Sequence, residues 1–225
     1  IETSGDEGNL ALCREEEVVA TYSFGGGARH ARSILPGIDH VVGEAGIGRD
    51  GLDAVAVTQG PGSFTGLRVG ITCAKVLAYT LGVDLVGVPT LEVKAYNVEP
   101  GTCSHVCPVQ DARRGWVYAM VLRAKDGRWV DQTDVMAGPP DDIVEDVPDD
   151  TMVFGDGVPE YEDIFAEPRF RVGGKELWGA HAEWTARLGL RRLRAGESAD
   201  PMELLPRYYR LTAPEENLQR RSDQS

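Results

Sequence analysis

No apolar run in this chain approaches the roughly 20 residues that a bilayer-spanning helix needs. Its first residues also lack the pattern of a secretory signal, so a soluble, cytoplasmic protein with no membrane partner is expected. Basic residues are the minority, 23 Lys and Arg against 36 Asp and Glu, for a net charge of -13. That balance opposes attraction to phosphate backbones, and a freestanding nucleic-acid binder is not expected. The acidic excess fits a salt-rich habitat, and it equally fits acidic faces that steer basic partners; composition leaves both open. Cysteine is scarce, and Cys13, Cys73, Cys103 and Cys107 lack the framework spacing of small secreted domains, so free thiols are expected. The four histidines, His30, His40, His105 and His181, show no triad signature. The sequence opens at Ile1 inside what reads as a strand, so residues are expected ahead of it.

What is present is order. Residues 1–4, 9–13 and 18–24 read as a strand meander joined by Gly, Asp and Glu turns. Ile34, Leu35, Ile38, Val41, Val42 and Ala45 recur at helical spacing within 28–47, with Pro36 and Gly37 expected to kink that helix. A strand at 53–57, a helix at 66–81 closed by Gly82, a strand at 84–88 and a short helix at 90–97 follow. The second half repeats the pattern. Strands are expected at 105–110, 116–122 and 129–135, the last two joined by the hairpin dipeptide Asp126-Gly127. An acidic stretch at 141–145, a strand at 152–154, a short helix near 161–165, a strand at 170–172 and a helix from Leu177 onward complete it. A βββαβαβα order appearing twice indicates duplication and differs from a Rossmann unit, which opens with strand-helix alternation. The expected fold class is α/β, actin-like (ASKHA, ribonuclease-H-like), with a reduced second lobe. The expected division is a first lobe at 1–99, a second at 100–211 and a polar, disordered tail at 212–225. In such folds phosphates sit between two hairpin loops, here Thr3-Ser4-Gly5-Asp6 and Ala112-Arg113-Arg114-Gly115.

The stretch Gly60-Pro-Gly-Ser-Phe-Thr-Gly66 invites three chemical readings and fits none. A P-loop needs Gly-Lys-Ser/Thr where this chain has Gly66-Leu67. A dinucleotide fingerprint follows the first strand of a βαβ unit, and this loop follows the fourth strand of its half. A nucleophile elbow centres serine between glycines two residues apart, whereas Ser63 directly follows Gly62. Ser63 or Thr65 is expected to cap the next helix. Along that helix Gly66, Gly70, Ala74 and Ala78 form a nearly bare stripe, and each interior glycine costs about 1 kcal/mol relative to alanine. Small residues at this spacing admit a second helix, either the one starting at Ala28 or one from a partner. Val69, Cys73, Val76 and Leu77 lie opposite and suit a sheet.

Gly60-Pro-Gly-Ser-Phe-Thr-Gly-Leu-Arg-Val-Gly70 followed by Ala74-Lys75 resembles the hallmark of the TsaB (YeaZ) family. Glu2-Thr3-Ser4, His30-Ala-Arg-Ser-Ile-Leu-Pro36, Asp111-Ala-Arg-Arg114 before Val117-Tyr118, Gly155-Asp-Gly157 and Pro206-Arg-Tyr-Tyr-Arg210 extend the likeness along nearly the whole chain. The resemblance implies a subunit of the bacterial machinery that makes N6-threonylcarbamoyladenosine on tRNA, related to the catalytic subunit TsaD. TsaD binds a metal through His-x-x-x-His on one helix face. Counted without a gap from Gly60, those places are Thr90 and Lys94 here, a poor ligand and an ammonium without a lone pair, so no metal is expected. The phosphate loops carry Glu2 and Arg113-Arg114 where actin-like ATPases favour Asp with small residues. Thr3, Ser4, Asp111, Arg113 and Arg114 are the candidate nucleotide contacts, and partner-facing or structural roles for the arginines are favoured.

The resemblance thus implies a non-catalytic scaffold that meets a TsaD-like subunit through Gly66, Arg68, Gly70, Ala74, Lys75, Ala78, His30 and Ile34. A homodimer in isolation, a TsaE-like ATPase, tRNA reached only through the complex, and ATP or ADP at the level of the complex accompany it. The alternative is an active actin-like ATP-dependent enzyme or a metallopeptidase-like hydrolase; a homodimeric scaffold with unrelated clients is the third possibility. Cys103-Ser-His105-Val-Cys107 groups soft ligands, but no second cluster completes a zinc site. Trp178 and Trp184 read as core aromatics, and Arg191, Arg192 and Arg194 suit a helix C-terminus.

Overall fold

The computed structural model describes residues 1–25 and 28–209, with residues 28–30 described by their backbone alone. The tail at 212–225 and the side chain of His30 lie outside the described residues. The first half comprises β1 (Glu7–Arg14), β2 (Glu17–Gly25), α1 (Ala28–Glu44), β3 (Ala54–Gly60), α2 (Phe64–Leu81), β4 (Asp84–Pro89) and α3 (Thr90–Ala95). β1 and β2 form an antiparallel hairpin, while β3 and β4 run parallel, joined by α2. Ile1 and Glu2 lie between the two pairs. The Ile1 amine donates to the Ala56 carbonyl at 2.8 Å, and Glu2 bridges antiparallel to Asn9.

The second half comprises β5 (His105–Arg113), β6 (Trp116–Ala119), β7 (Leu122–Lys125), β8 (Arg128–Asp131), β9 (Met136–Gly138), α4 (Pro140–Val144), β10 (Met152–Phe154), α5 (Gly157–Glu160), α6 (Glu162–Phe165), β11 (Arg171–Val172) and α7 (Ala182–Arg194). Its sheet has the order β11-β10-β5-β6-β9, with β5 antiparallel to β6 and parallel to β10. This is the actin-like arrangement. β7 and β8 form a hairpin whose turn places Asp126 and Gly127 at φ 51° and 70°, the left-handed region that the dipeptide favours.

Two expectations are corrected. The strand expected at 116–122 is broken, because the Val121 carbonyl accepts from Gln132 and Thr133 and its amide donates to Thr133 Oγ1 at 3.0 Å. The ladder to β5 is interrupted there and resumes in β7. Helix α7, expected to complete the second half, packs instead on β1, β3 and β4. Its Gly189 makes this possible, since a Cβ there would stand 2.5 Å from that of Ala56.

Helix α2 is bounded as its sequence dictates. Ser63 Oγ accepts from the Gly66 amide at 3.2 Å, and Gly82 closes the helix at φ 68°. The Pro36-Gly37 pair lies inside α1, and Gly37 lets that helix approach β1 and β2, since a Cβ would stand 2.5 Å from the Tyr22 ring. Among the described residues no helix is long and apolar enough to cross a membrane.

Candidate functional site

The glycine loop closes backbone against backbone. A Cβ on Gly62 would stand 2.6 Å from the Ser4 carbonyl, which accepts from the Ser63 amide at 2.7 Å. On its other flank Gly60 adopts φ 115°, and a Cβ there would stand 2.8 Å from the Arg207 carbonyl. The loop is wedged between the chain's first residues and its last described segment, and its glycines serve that approach.

The small-residue stripe is likewise occupied by the chain itself. Gly66, Gly70, Ala74 and Ala78 are buried, in the core that holds Val55, Val57 and Leu85. Thr3 Oγ1 donates to the Gly66 carbonyl at 2.9 Å, and a Cβ on Gly70 would stand 2.1 Å from that oxygen. Ile34 is 3 % exposed, packed among Leu10, Ala20 and Phe24. The expectation that these residues face a partner is corrected: the narrow face of α2 lies against its own sheet, where only small side chains fit. The face expected to dock on the sheet turns outward in part. Val76 of that face is 60 % exposed, and Tyr79, which lies outside the set expected there, is 71 % exposed.

Arg68 and Lys75 hold a C-terminal strap that sequence reasoning missed. Arg68 Nε donates to the Tyr208 hydroxyl at 3.0 Å, with its guanidinium 3.8 Å from the Phe64 ring centre. Lys75 Nζ donates to the carbonyls of Met202 at 3.1 Å and Leu204 at 3.0 Å. The Arg207 amide donates to the Gln59 carbonyl at 2.8 Å, tying the strap to the end of β3. The only signal was the co-occurrence of the Arg68/Lys75 pair with the Pro206-Arg-Tyr-Tyr pattern.

Between the halves lies a compact polar cluster. Ser4 is buried and donates from both its amide and its hydroxyl to Glu2 Oε1. Lys94 is buried too, and its Nζ donates to Gln110 Oε1 at 3.1 Å, linking α3 to β5. Burial pushes the Lys94 pKa down, while the carboxylates of Asp156 and Glu2 oppose that shift. Asp111 Oδ1 accepts from the Arg113 amide at 2.7 Å, in a turn where Arg113 and Arg114 have φ 63° and 56°. Glu2 Oε2 and the hydroxyls of Thr58 and Thr90 are buried without a hydrogen-bond partner among the described residues. Thr90 and Lys94 stand one helical turn apart on α3, where a TsaD-like metal site would need two imidazoles. This donor set does not fit a metal ion, since the ammonium is itself the local cation.

The remaining candidates are structural. Cys103 Sγ donates to the His105 carbonyl at 3.2 Å, and Cys107 is sealed in the core, its thiol pushed up to about 12 by burial. Trp184 packs against Tyr96 with ring centres 4.9 Å apart. The basic end of α7 is met by the chain's own carboxylates: Arg191 by Glu16, Arg192 by Glu92 and Glu197, Arg194 by Glu15.

Residues 20–149 match the family model of TsaD, tRNA N6-adenosine threonylcarbamoyltransferase. The chain is 34% identical over 127 residues to the tRNA threonylcarbamoyladenosine biosynthesis protein TsaB of Bacillus subtilis (strain 168), covering 56% of this chain and 55% of that one. It is 40% identical over 108 residues to a tRNA N6-adenosine threonylcarbamoyltransferase of Anaeromyxobacter dehalogenans (strain 2CP-1 / ATCC BAA-258), covering 41% of this chain and 32% of that one. The match thus spans about half the length of the first relative and a third of the second. The solved structure of YeaZ from Pseudomonas aeruginosa superposes with a TM-score of 0.79 at 26% identity, covering 92% of this chain and 96% of that one. The actin-like fold, the glycine-loop hallmark and these matches agree, and the chain belongs to the TsaB (YeaZ) family of TsaD-related proteins.

Proposed function

We propose that this chain is a non-catalytic scaffold subunit in the synthesis of N6-threonylcarbamoyladenosine on tRNA, supporting a TsaD-like catalytic subunit. The observation that carries this reading is the buried Lys94, hydrogen-bonded to Gln110 where a related catalytic subunit would bind metal. The lysine side chain stands where the related site would need an imidazole, and its hydrogen bond makes a structural tie between the halves there. The partner surface is the outer face of α1 and α2, where Leu35, Phe64, Val76 and Tyr79 expose large apolar side chains. Arg68, and the strap it anchors, border that face. The same surface serves a homodimer in isolation, and a TsaE-like ATPase, ATP or ADP, and tRNA join only at the level of the complex. The two lobes divide near residues 99 and 100, with α7 returned to the first. A cytoplasmic location accompanies this role.

The test is co-purification with a TsaD-like subunit and threonylcarbamoyl transfer to tRNA with and without this chain. Transfer that requires the chain supports the reading. Turnover of ATP and magnesium by the purified chain alone, through Thr3, Ser4, Asp111, Arg113 and Arg114, would favour the rival reading of an active ATP-dependent or metallopeptidase-like enzyme.

A further inference from the structure

Glu2, Thr58, Thr90 and Lys94 are all buried, and the strand registers bring them to one place between the lobes. The Ile1 nitrogen donates to the Ala56 carbonyl, and the Ile1 carbonyl accepts from the Thr58 amide at 3.2 Å. Ile1 therefore stands beside Val57 and Glu2 beside Thr58, on neighbouring strands ~4.8 Å apart. On its other side Thr58 pairs with Val88, two residues ahead of Thr90, and Thr90 opens α3, which packs on β3. Lys94 follows one helical turn after Thr90, near enough to Glu2 for that carboxylate to oppose the downward pull of burial on its pKa. In this one spot Glu2 Oε2, Thr58 Oγ1 and Thr90 Oγ1 have no hydrogen-bond partner among the described residues. Buried polar atoms left in this way call for one.

We propose that a single internal water molecule seats between Glu2 Oε2, Thr58 Oγ1, Thr90 Oγ1 and Lys94 Nζ, making Lys94 and Glu2 a water-mediated ion pair that completes the tie between the lobes. The count of donors and acceptors closes. The Ser4 amide and hydroxyl both donate to Glu2 Oε1, which leaves Oε2 as the acceptor to be served. Lys94 uses one of its three N–H groups on Gln110, which leaves it donors to offer. The water accepts from Lys94 and from one threonine hydroxyl, and it donates to Glu2 Oε2 and to the other threonine. Those partners reach the upper end of the roughly two to four that internal waters take. A direct contact between Lys94 and Glu2 would leave both hydroxyls orphaned, and an alkali cation in the same place would face an ammonium. With the water present, the network runs from Glu2 and β3 through Lys94 to Gln110 on β5.

Threonine-to-valine exchange gives opposite signs for an orphaned hydroxyl and for one bonded to water. Thr58→Val and Thr90→Val in the full chain are each expected to lower Tm by about 3 °C or more, because the water loses a partner and Glu2 Oε2 is left exposed to that loss. The double variant should lose less than the sum of the two, since both hydroxyls hold the same molecule. A high-resolution crystal structure of the unaltered chain supplies a readout that needs no variant to fold. It is expected to show one water within ~2.6–3.2 Å of Glu2 Oε2, of both hydroxyls and of Lys94 Nζ. A Tm that rises or stays level in either valine variant, strictly additive losses, a direct Lys94–Glu2 contact or a crystal site without that water would each overturn the proposal. So would a Tm higher in KCl than in equimolar NaCl, the mark of an alkali cation in its place.

Discussion

A Cβ on Gly70 would stand 2.1 Å from Oγ1 of Thr3, the oxygen that donates to the Gly66 carbonyl. Two parts of the glycine hallmark therefore close on the chain's own first residues, and the contact is structural. Gly70→Leu is expected to destabilise the protein itself, by about 3 kcal/mol or more, because the added side chain has no space to enter. Gly70→Ala should cost less, and a double-mutant cycle with Thr3→Gly should return a coupling of at least about 1 kcal/mol. Urea unfolding of the four proteins measures it. Additive losses would mean that the two residues do not oppose each other.

Lys75 bridges to Met202 and Leu204 with a single ammonium, so Lys75→Met removes two charge-assisted hydrogen bonds from the strap and leaves the α2 stem in place. The group is half-buried, and the expected global loss is about 1 kcal/mol. The larger effect is local: the Arg207 amide, bonded to Gln59, should exchange faster by about tenfold. Unchanged exchange at Arg207 would show that the strap is held by its other contacts.

Local signals were legible in the sequence where the chemistry is local. Ser63 caps α2, Gly82 ends it, and Asp126-Gly127 turns a hairpin, each fixed by conformations that few other residues adopt. The orientation of α2 was not legible, because Gly66, Gly70, Ala74 and Ala78 and the opposite Val69, Cys73, Val76 and Leu77 are both compatible with a sheet. What decides between them is Thr3, 63 residues before the carbonyl it bonds. The destination of α7 depends on a similar long-range fit at Gly189 and Ala56. Of the interlobe cluster, Glu2 and Lys94 stood out as departures from a family pattern, whereas the tie from Lys94 to Gln110 joins two lobes and has no sequence spacing to betray it.

The outer face of α2 should separate partner binding from folding. Val76 and Tyr79 are 60 % and 71 % exposed, and neither belongs to a buried cluster. Val76→Asp and Tyr79→Asp should each leave stability within about 0.5 kcal/mol, since they disturb no cavity, cap or buried polar group. If this face meets a TsaD-like subunit, each substitution places an unpaired carboxylate in a dry contact. Affinity should then fall by about 30-fold or more, the scale of a central interface residue. Ala74→Leu supplies the contrast, because it acts on the buried face of the same helix and should cost stability first. Calorimetric titration of each variant with the purified TsaD-like subunit, beside its urea curve, gives both readouts. Undiminished affinity in Tyr79→Asp and Val76→Asp would move the partner surface off this helix, to the strap or to the second lobe.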